Sequence, residues 1–127
     1  MATSPPSKPS ILLIDDEENL RRSLAMILGR EGYQVGTAAT IKEARELLQA
    51  SCYDLTFLDL KLPDASGLTF LPELQSRYPH MPVLVLTAYD KLEAAVEAVR
   101  HGARDYLLKP IDPTDLIELV RDVLEGR

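Results

Sequence analysis

Carboxylates, a hydroxyl and an ammonium group follow short apolar runs of this 127-residue chain. They are Asp15 and Asp16 after the first run, Asp59 after the third, Thr87 after the fourth and Lys109 after the fifth. Three carboxylates held close together repel one another unless a cation lies among them. Oxygen ligands suit a hard cation, and Mg²⁺ prefers a few carboxylates together with water and phosphate oxygens. If the fold brings these residues together, their types indicate a site for Mg²⁺ and phosphate.

Lys109 and Thr87 extend this interpretation from a metal to a phosphoryl group. The lysine supplies a fixed positive charge and the threonine a hydroxyl donor, and both stabilise charge on phosphoryl oxygens. Asp59 follows the predicted central strand and is the best candidate for a nucleophile. Taken singly, Asp15 and Asp16 could cap a helix, and Asp59 could be an ordinary loop acid. The combination of all five favours the phosphate site.

Five apolar runs alternate with longer segments of helical spacing, which places the site residues on a fold. The predicted strands are Ile11–Ile14, Tyr33–Ala38, Asp54–Leu58, Met81–Leu86 and Asp105–Leu108. Such alternation predicts an α/β domain with a parallel sheet covered by helices on both faces. Among the orders it allows, the flavodoxin-like (βα)5 order 2-1-3-4-5 is the leading candidate for this single doubly wound five-stranded sheet. Ligands of such sheets bind at the carboxyl ends of the strands.

Apolar residues at helical spacing predict the buried faces of four helices. They are Leu20, Leu24, Ile27 and Leu28; Ile41, Ala44, Leu47 and Leu48; Leu92, Ala95, Val96 and Val99; and Leu116, Leu119, Val120 and Val123. A further helix is predicted over Leu68–Arg77, where Pro72 predicts an irregular first turn or a late start. Helix caps are expected at Thr40, Asp90 and Asp112.

Composition excludes several classes of protein. The net charge of −6 argues against direct nucleic-acid binding, because acids dilute the basic residues Arg21, Arg22 and Arg30. No apolar run approaches the ~20 residues that cross a bilayer, and no signal peptide is visible, so we expect a cytoplasmic protein without membrane contact. Cys52 is predicted to be a partly buried thiol, which fits a reducing compartment. Residues 1–9 are predicted to be a disordered leader, residues 10–125 one domain, and residues 126–127 a tail.

Several short motifs follow one another along the chain. They are Asp15-Asp16, Asp59, Thr87-Ala88, Tyr106 and Lys109-Pro110, together with the loop from Asp59 through Pro63 to Gly67. From about Ile11 to Leu124 the chain resembles the receiver domain of two-component response regulators.

The resemblance implies a role for each matching position. Asp59 would be the phosphoacceptor, taking a phosphoryl group from the phosphohistidine of a sensor histidine kinase. Asp16 would bind Mg²⁺ directly and Asp15 largely through water, with Asp59 and the backbone carbonyl of Lys61 completing the protein ligands. Lys109 would pair with Asp59 and then with the phosphate. Such a domain is not an enzyme beyond its own phosphorylation and dephosphorylation.

The resemblance also implies a conformational switch. The hydroxyl of Thr87 would move toward the phosphate, Tyr106 would swing inward, and the small Ala88 would leave room. The peptide bond before Pro110 is usually cis in the family. The remodelled surface would be helix 4, strand 5 and helix 5, whose mixed charges predict a homodimer. Those charges are Lys91, Glu97, Arg100, Asp105, Asp115 and Arg121.

Two departures and two rivals complete the sequence-based interpretation. Lys61 and Tyr89 could overhang the phosphate and hinder water, which predicts slow loss of the phosphoryl group. His80 and His101 are expected at the surface. A haloacid dehalogenase-like phosphatase would need an aspartate where Lys61 stands, and a non-phosphorylated flavodoxin-like binding module fits poorly with the acidic first loop. A stand-alone domain and the front end of a longer transcriptional regulator both stay open.

Overall fold

Five strands alternate with five helices in the computed structural model, which describes residues 8–126. The strands are β1 Ser10–Ile14, β2 Gln34–Ala38, β3 Leu55–Leu58, β4 Val83–Thr87 and β5 Asp105–Leu108. The helices are α1 Glu18–Arg30, α2 Ile41–Ala50, α3 Gly67–Arg77, α4 Leu92–Arg100 and α5 Pro113–Leu124. Of the predicted leader and tail, residues 1–7 and 127 lie outside the described residues.

The strands form one parallel sheet in the order β2-β1-β3-β4-β5, which confirms the predicted flavodoxin-like topology. Strand β3 lies at the centre, and its Leu58 is level with Ile14 of β1. Every residue of β3 and β4 is buried, as expected for strands covered on both faces.

Alternate side chains of the strands fill two separate cores. On one face, Leu12 and Ile14 pack into the core formed by α2, α3 and α4, which includes Phe70. On the other face, Ile11 and Leu13 pack into the core formed by α1 and α5. Together the two cores cover both faces of the sheet.

The prediction for the buried face of α4 is wrong. Ala94 and Ala98 are the buried residues of this helix, whereas Leu92 is 77% exposed, and Val96 and Val99 are also exposed. Both sets have helical spacing, and the small alanine side chains allow the helix to lie close to its neighbours. The larger apolar residues of α4 consequently form a surface.

Two of the three predicted helix caps are confirmed and one is wrong. Thr40 caps α2 by accepting a hydrogen bond from the Glu43 amide at 3.1 Å, as predicted, and Asp112 caps α5. The cap predicted at Asp90 is wrong, because Lys91 occupies that position and makes no side-chain cap bond.

Helix α3 begins one residue earlier than predicted and does not start late. Ser66 caps it through the Leu68 amide at 3.2 Å, and the helix continues through Pro72 without a break. Cys52 is exposed rather than partly buried, because it lies in the loop between α2 and β3. His80 and His101 are exposed, as predicted. No helix within residues 8–126 is long and apolar enough to cross a bilayer.

Candidate functional site

The sheet ladder continues past the strand ends and brings the predicted site residues to one edge. The amide of Asp59 donates to the carbonyl of Ile14 at 2.9 Å, so Asp59 lies beside Asp15. The amide of Lys109 donates to the carbonyl of Thr87, also at 2.9 Å. The backbone pairing of β1, β3, β4 and β5 therefore determines where these side chains begin.

Three carboxylates meet at this edge. Asp15, Asp16 and Asp59 each offer an oxygen, and these oxygens all lie within 4.8 Å of one another. Asp15 and Asp59 are buried, with 6% and 4% of their surface exposed, while Asp16 is open to solvent. This all-oxygen donor set, with one open side, fits a hard divalent cation that retains water ligands.

Lys109 supplies the positive charge within the cluster. Its Nζ lies 2.7 Å from Asp15 Oδ2, 3.0 Å from Asp59 Oδ2 and 3.5 Å from Glu17 Oε1. Burial alone would lower the pKa of Lys109, but its hydrogen bonds to the two aspartates outweigh burial and raise the pKa. The lysine is therefore held protonated between the two carboxylates.

Contacts from several directions hold Asp15 in place. Burial raises the pKa of its carboxyl group, and the hydrogen bonds from Lys109 and from the Glu17 amide offset part of that rise. Arg21 Nη1 also donates to the Asp15 backbone carbonyl at 2.7 Å. This role of Arg21 was not predicted; its position in the first two turns of α1 was the available signal.

Thr87, Tyr89 and Tyr106 form a second connected group. Thr87 is buried, and its hydroxyl accepts a hydrogen bond from the Tyr89 amide at 3.3 Å. The Tyr106 hydroxyl donates to the Tyr89 backbone carbonyl. The pKa of the Tyr106 hydroxyl is raised, mainly by burial. Ala88 is exposed between them, and the Lys109-Pro110 peptide bond is cis, as the resemblance implied.

The loop between β3 and α3 folds back against Asp59. The Lys61 amide donates to Asp59 Oδ1 at 3.2 Å, and Lys61 pairs with Ser66 across an antiparallel bridge. A Cβ atom at Gly67 would lie 2.3 Å from the Asp59 carbonyl oxygen, so only glycine fits there. This close approach accounts for the glycine at the end of the motif that runs from Asp59 to Gly67.

The Lys61 and Tyr89 side chains lie against each other, a contact that was not predicted from the sequence. The Lys61 ammonium lies 5.1 Å from the centre of the Tyr89 ring, within cation–π distance. Both residues line a cleft of about 400 Å³ next to the loop.

The comparisons with known proteins agree with this geometry. The family model described as "Response regulator receiver domain" matches residues 11–121. The chain is 42% identical to the response regulator protein PilR of Pseudomonas aeruginosa, over 95% of this chain and 27% of that protein. It is 40% identical to the alginate biosynthesis transcriptional regulatory protein AlgB of the same species, over 100% of this chain and 28% of that protein. The chain thus spans about a quarter of the length of these relatives.

Solved structures give the same result. A CheY-like response regulator receiver domain protein from Methanospirillum hungatei matches with a TM-score of 0.91 and 34% identity, over 94% of this chain and 95% of that chain. The beryllofluoride-activated NtrC4 receiver domain dimer matches with a TM-score of 0.86 and 31% identity, over 91% and 96%. Five parallel strands in the order 2-1-3-4-5, the acidic edge and these matches lead to one conclusion. The chain belongs to the response regulator receiver domain family.

Proposed function

We propose that this domain accepts a phosphoryl group on Asp59 from the phosphohistidine of a sensor histidine kinase. The observation that carries the proposal is the cluster of three carboxylate oxygens within 4.8 Å, with Lys109 Nζ 3.0 Å from Asp59. In the transfer, the bond between phosphorus and the histidine nitrogen breaks as a bond to an Asp59 oxygen forms. The imidazole leaves with its electron pair.

Asp15, Asp16, Asp59 and the backbone carbonyl of Lys61 would hold Mg²⁺ at this edge. When bound, the ion would balance the charge of the carboxylates and of the phosphoryl oxygens. Lys109 is already within hydrogen-bond distance of Asp59 and would move its contact to a phosphoryl oxygen. The Thr87 hydroxyl would donate to another oxygen, and the exposed Ala88 leaves space above it.

Phosphorylation would act as a switch because it adds roughly −1.5 to −2 charge at the edge of the sheet. The Thr87 hydroxyl accepts from the Tyr89 amide, and Tyr106 donates to the Tyr89 carbonyl. Movement of Thr87 toward phosphate would break the first contact and alter the second. The signal would then reach the face formed by α4, β5 and α5.

We further propose that the phosphorylated domain forms a homodimer through α4, β5 and α5. This face exposes large apolar side chains, namely Leu92, Val96 and Val99 of α4 and Leu108 of β5. Burial of these side chains in a contact would favour association. Its mixed charges suit a self-complementary contact. The longer relatives favour a place for this domain in a larger cytoplasmic transcriptional regulator, with DNA bound elsewhere in that protein.

Beryllofluoride and Mg²⁺ should shift the chain from monomer to dimer in sedimentation velocity. Val96→Asp should weaken the dimer at least about tenfold, because it buries an unpaired charge at the contact. Met26→Asp, which changes an exposed apolar residue on α1 outside this face, is the control and should dimerise normally. A monomer in both states of the wild type would count against the dimer.

The contact between Lys61 and Tyr89 should slow hydrolysis of the phosphorylated domain. Lys61 lies in the loop that follows Asp59, and its ammonium lies over the Tyr89 ring, so we expect the pair to obstruct an attacking water. Lys61→Ala and Tyr89→Ala should each shorten the half-life about threefold, a barrier change of roughly 0.65 kcal/mol. The half-life is measured from the loss of radiolabel, with the exposed-lysine variant Lys42→Ala as the control. The prediction is contradicted if neither variant loses its label faster than the wild type and this control.

Incubation with labelled acetyl phosphate tests the proposed function. The wild type should incorporate label in Mg²⁺ and not in EDTA, and peptide mapping should locate it at Asp59. A phosphatase would release phosphate continuously, in large excess over the protein, and a non-phosphorylated binding module would give neither label nor released phosphate.

A further inference from the structure

The tip of the β3–α3 loop reaches across to the start of another helix. Asp64 Oδ1 accepts a hydrogen bond from the Ile41 amide and Oδ2 accepts one from the Lys42 amide, both at 3.1 Å. These amides are the first two of α2, and they lie 23 and 22 residues away from Asp64 in the chain. One carboxylate therefore occupies the positive end of a helix from outside it.

Helix α2 does not depend on Asp64 alone for its start. Thr40 caps the Glu43 amide, and the Glu43 carboxylate accepts at 3.2 Å from the amide of Ala39, the residue before the cap. Burial would raise the pKa of Asp64, but the bonds from Ile41 and Lys42 outweigh it and lower the pKa. Asp64 is thus an additional anionic contact, made by the loop.

The partner of Asp64 is itself held firmly. Ile41, the first residue of α2, is buried in the core. Arg45 of α2 forms two hydrogen bonds of 2.8 Å with the Glu73 carboxylate of α3. A bidentate pair of this kind has a defined geometry. The loop is therefore fixed to a rigid element at its tip.

The base of the loop is fixed at the candidate site. Lys61 donates its amide to Asp59 and pairs with Ser66, and the Gly67 amide donates to the Leu60 carbonyl at 2.8 Å. Between these contacts and the tip there are only a few residues. A displacement of Asp64 would consequently be transmitted to the backbone at Lys61.

We infer that Asp64 is a positioning residue for the metal site, holding in place the backbone at Lys61, whose amide donates to Asp59 Oδ1 and whose carbonyl is a proposed Mg²⁺ ligand. This inference rests on the proposed function, which assigns that carbonyl as a Mg²⁺ ligand. Asp64 does not touch the ion or the phosphoryl group. It acts by connecting the loop to α2.

Calorimetric titration with Mg²⁺ and amide hydrogen exchange without Mg²⁺ test the inference. Asp64→Ala should weaken Mg²⁺ binding about tenfold, the range seen when outer contacts of a metal site are removed. The Lys61 and Gly67 amides should exchange faster in this variant. Asp64→Asn, which keeps one acceptor oxygen, should give an intermediate affinity. Thr40→Ala, which removes a cap of α2 without releasing the loop, should bind Mg²⁺ within about twofold of the wild type.

The variants separate the explanations from one another. Asp64→Asn and Asp64→Ala remove the same charge, so equal weakening by both would assign the effect to charge and overturn the inference. Equal weakening by Asp64→Ala and Thr40→Ala would assign it to α2 stability and would also overturn it. Unchanged binding in Asp64→Ala would overturn the inference while leaving the proposed function intact. A wild type that fails to bind Mg²⁺ would overturn the proposed function, and the inference with it.

Discussion

Asp59→Asn will abolish phosphoryl acceptance and at the same time stabilise the metal-free domain by about 1 kcal/mol. An amide is not a nucleophile for phosphorus, so no label from acetyl phosphate should remain above background. The gain in stability follows from burial, because only 4% of Asp59 is exposed and two other carboxylates have oxygens within 4.8 Å. Lys109 keeps its shorter contact of 2.7 Å with Asp15.

Label incorporation and urea unfolding in EDTA measure the two effects on the same preparation. Glu46→Gln, which neutralises an exposed acid of α2 outside the cluster, is the control and should be unchanged in both assays. Retention of label in Asp59→Asn would refute the assignment of the acceptor. A loss of stability in EDTA would show that attraction to Lys109 exceeds the combined cost of burial and repulsion.

Lys109→Met will destabilise the metal-free domain by about 3 kcal/mol, because removal of one partner leaves buried charges uncompensated. The side chains of Asp15 and Asp59 are only 8% and 5% exposed, so water cannot replace the lost ammonium. Added Mg²⁺ should recover much of the loss. Phosphorylation from acetyl phosphate should fall sharply as well, since no cation would face the phosphoryl oxygens from that side.

A double-mutant cycle makes this prediction specific. Asp59→Asn in the Lys109→Met background should restore more stability than it adds to the wild type, which gives a coupling energy between the two residues. Lys91→Met, at an exposed lysine before α4, should have little effect. Equal effects of Asp59→Asn in both backgrounds would contradict the coupling.

The placement of the candidate site residues could be predicted because these residues lie at the ends of strands. Asp15, Asp59, Thr87 and Lys109 each follow or end an apolar run, and parallel strands place their carboxyl ends at one edge. The strand order followed from alternation and strand number together with a known topology. No contact between distant side chains was needed for any of these steps.

What could not be predicted depends on contacts without a local pattern. The spacing of Leu92, Val96 and Val99 in α4 is as helical as that of Ala94 and Ala98, and nothing in the period says which set faces the sheet. The packing of the helix decides, and it buries the smaller residues. The bonds of Asp64 to α2 span more than twenty positions, so they appear only in the folded chain.

The ammonium of Lys109 between Asp15 and Asp59 has a consequence for the living cell. On the proposed function, this internal counterion would let the domain stay folded when magnesium is scarce, so starvation for the metal should leave the amount of protein unchanged. The amount of protein and its capacity to accept a phosphoryl group would then vary separately. Proteolysis would spare the protein while phosphorylation stops. On resupply of magnesium the response should return at once, without new synthesis.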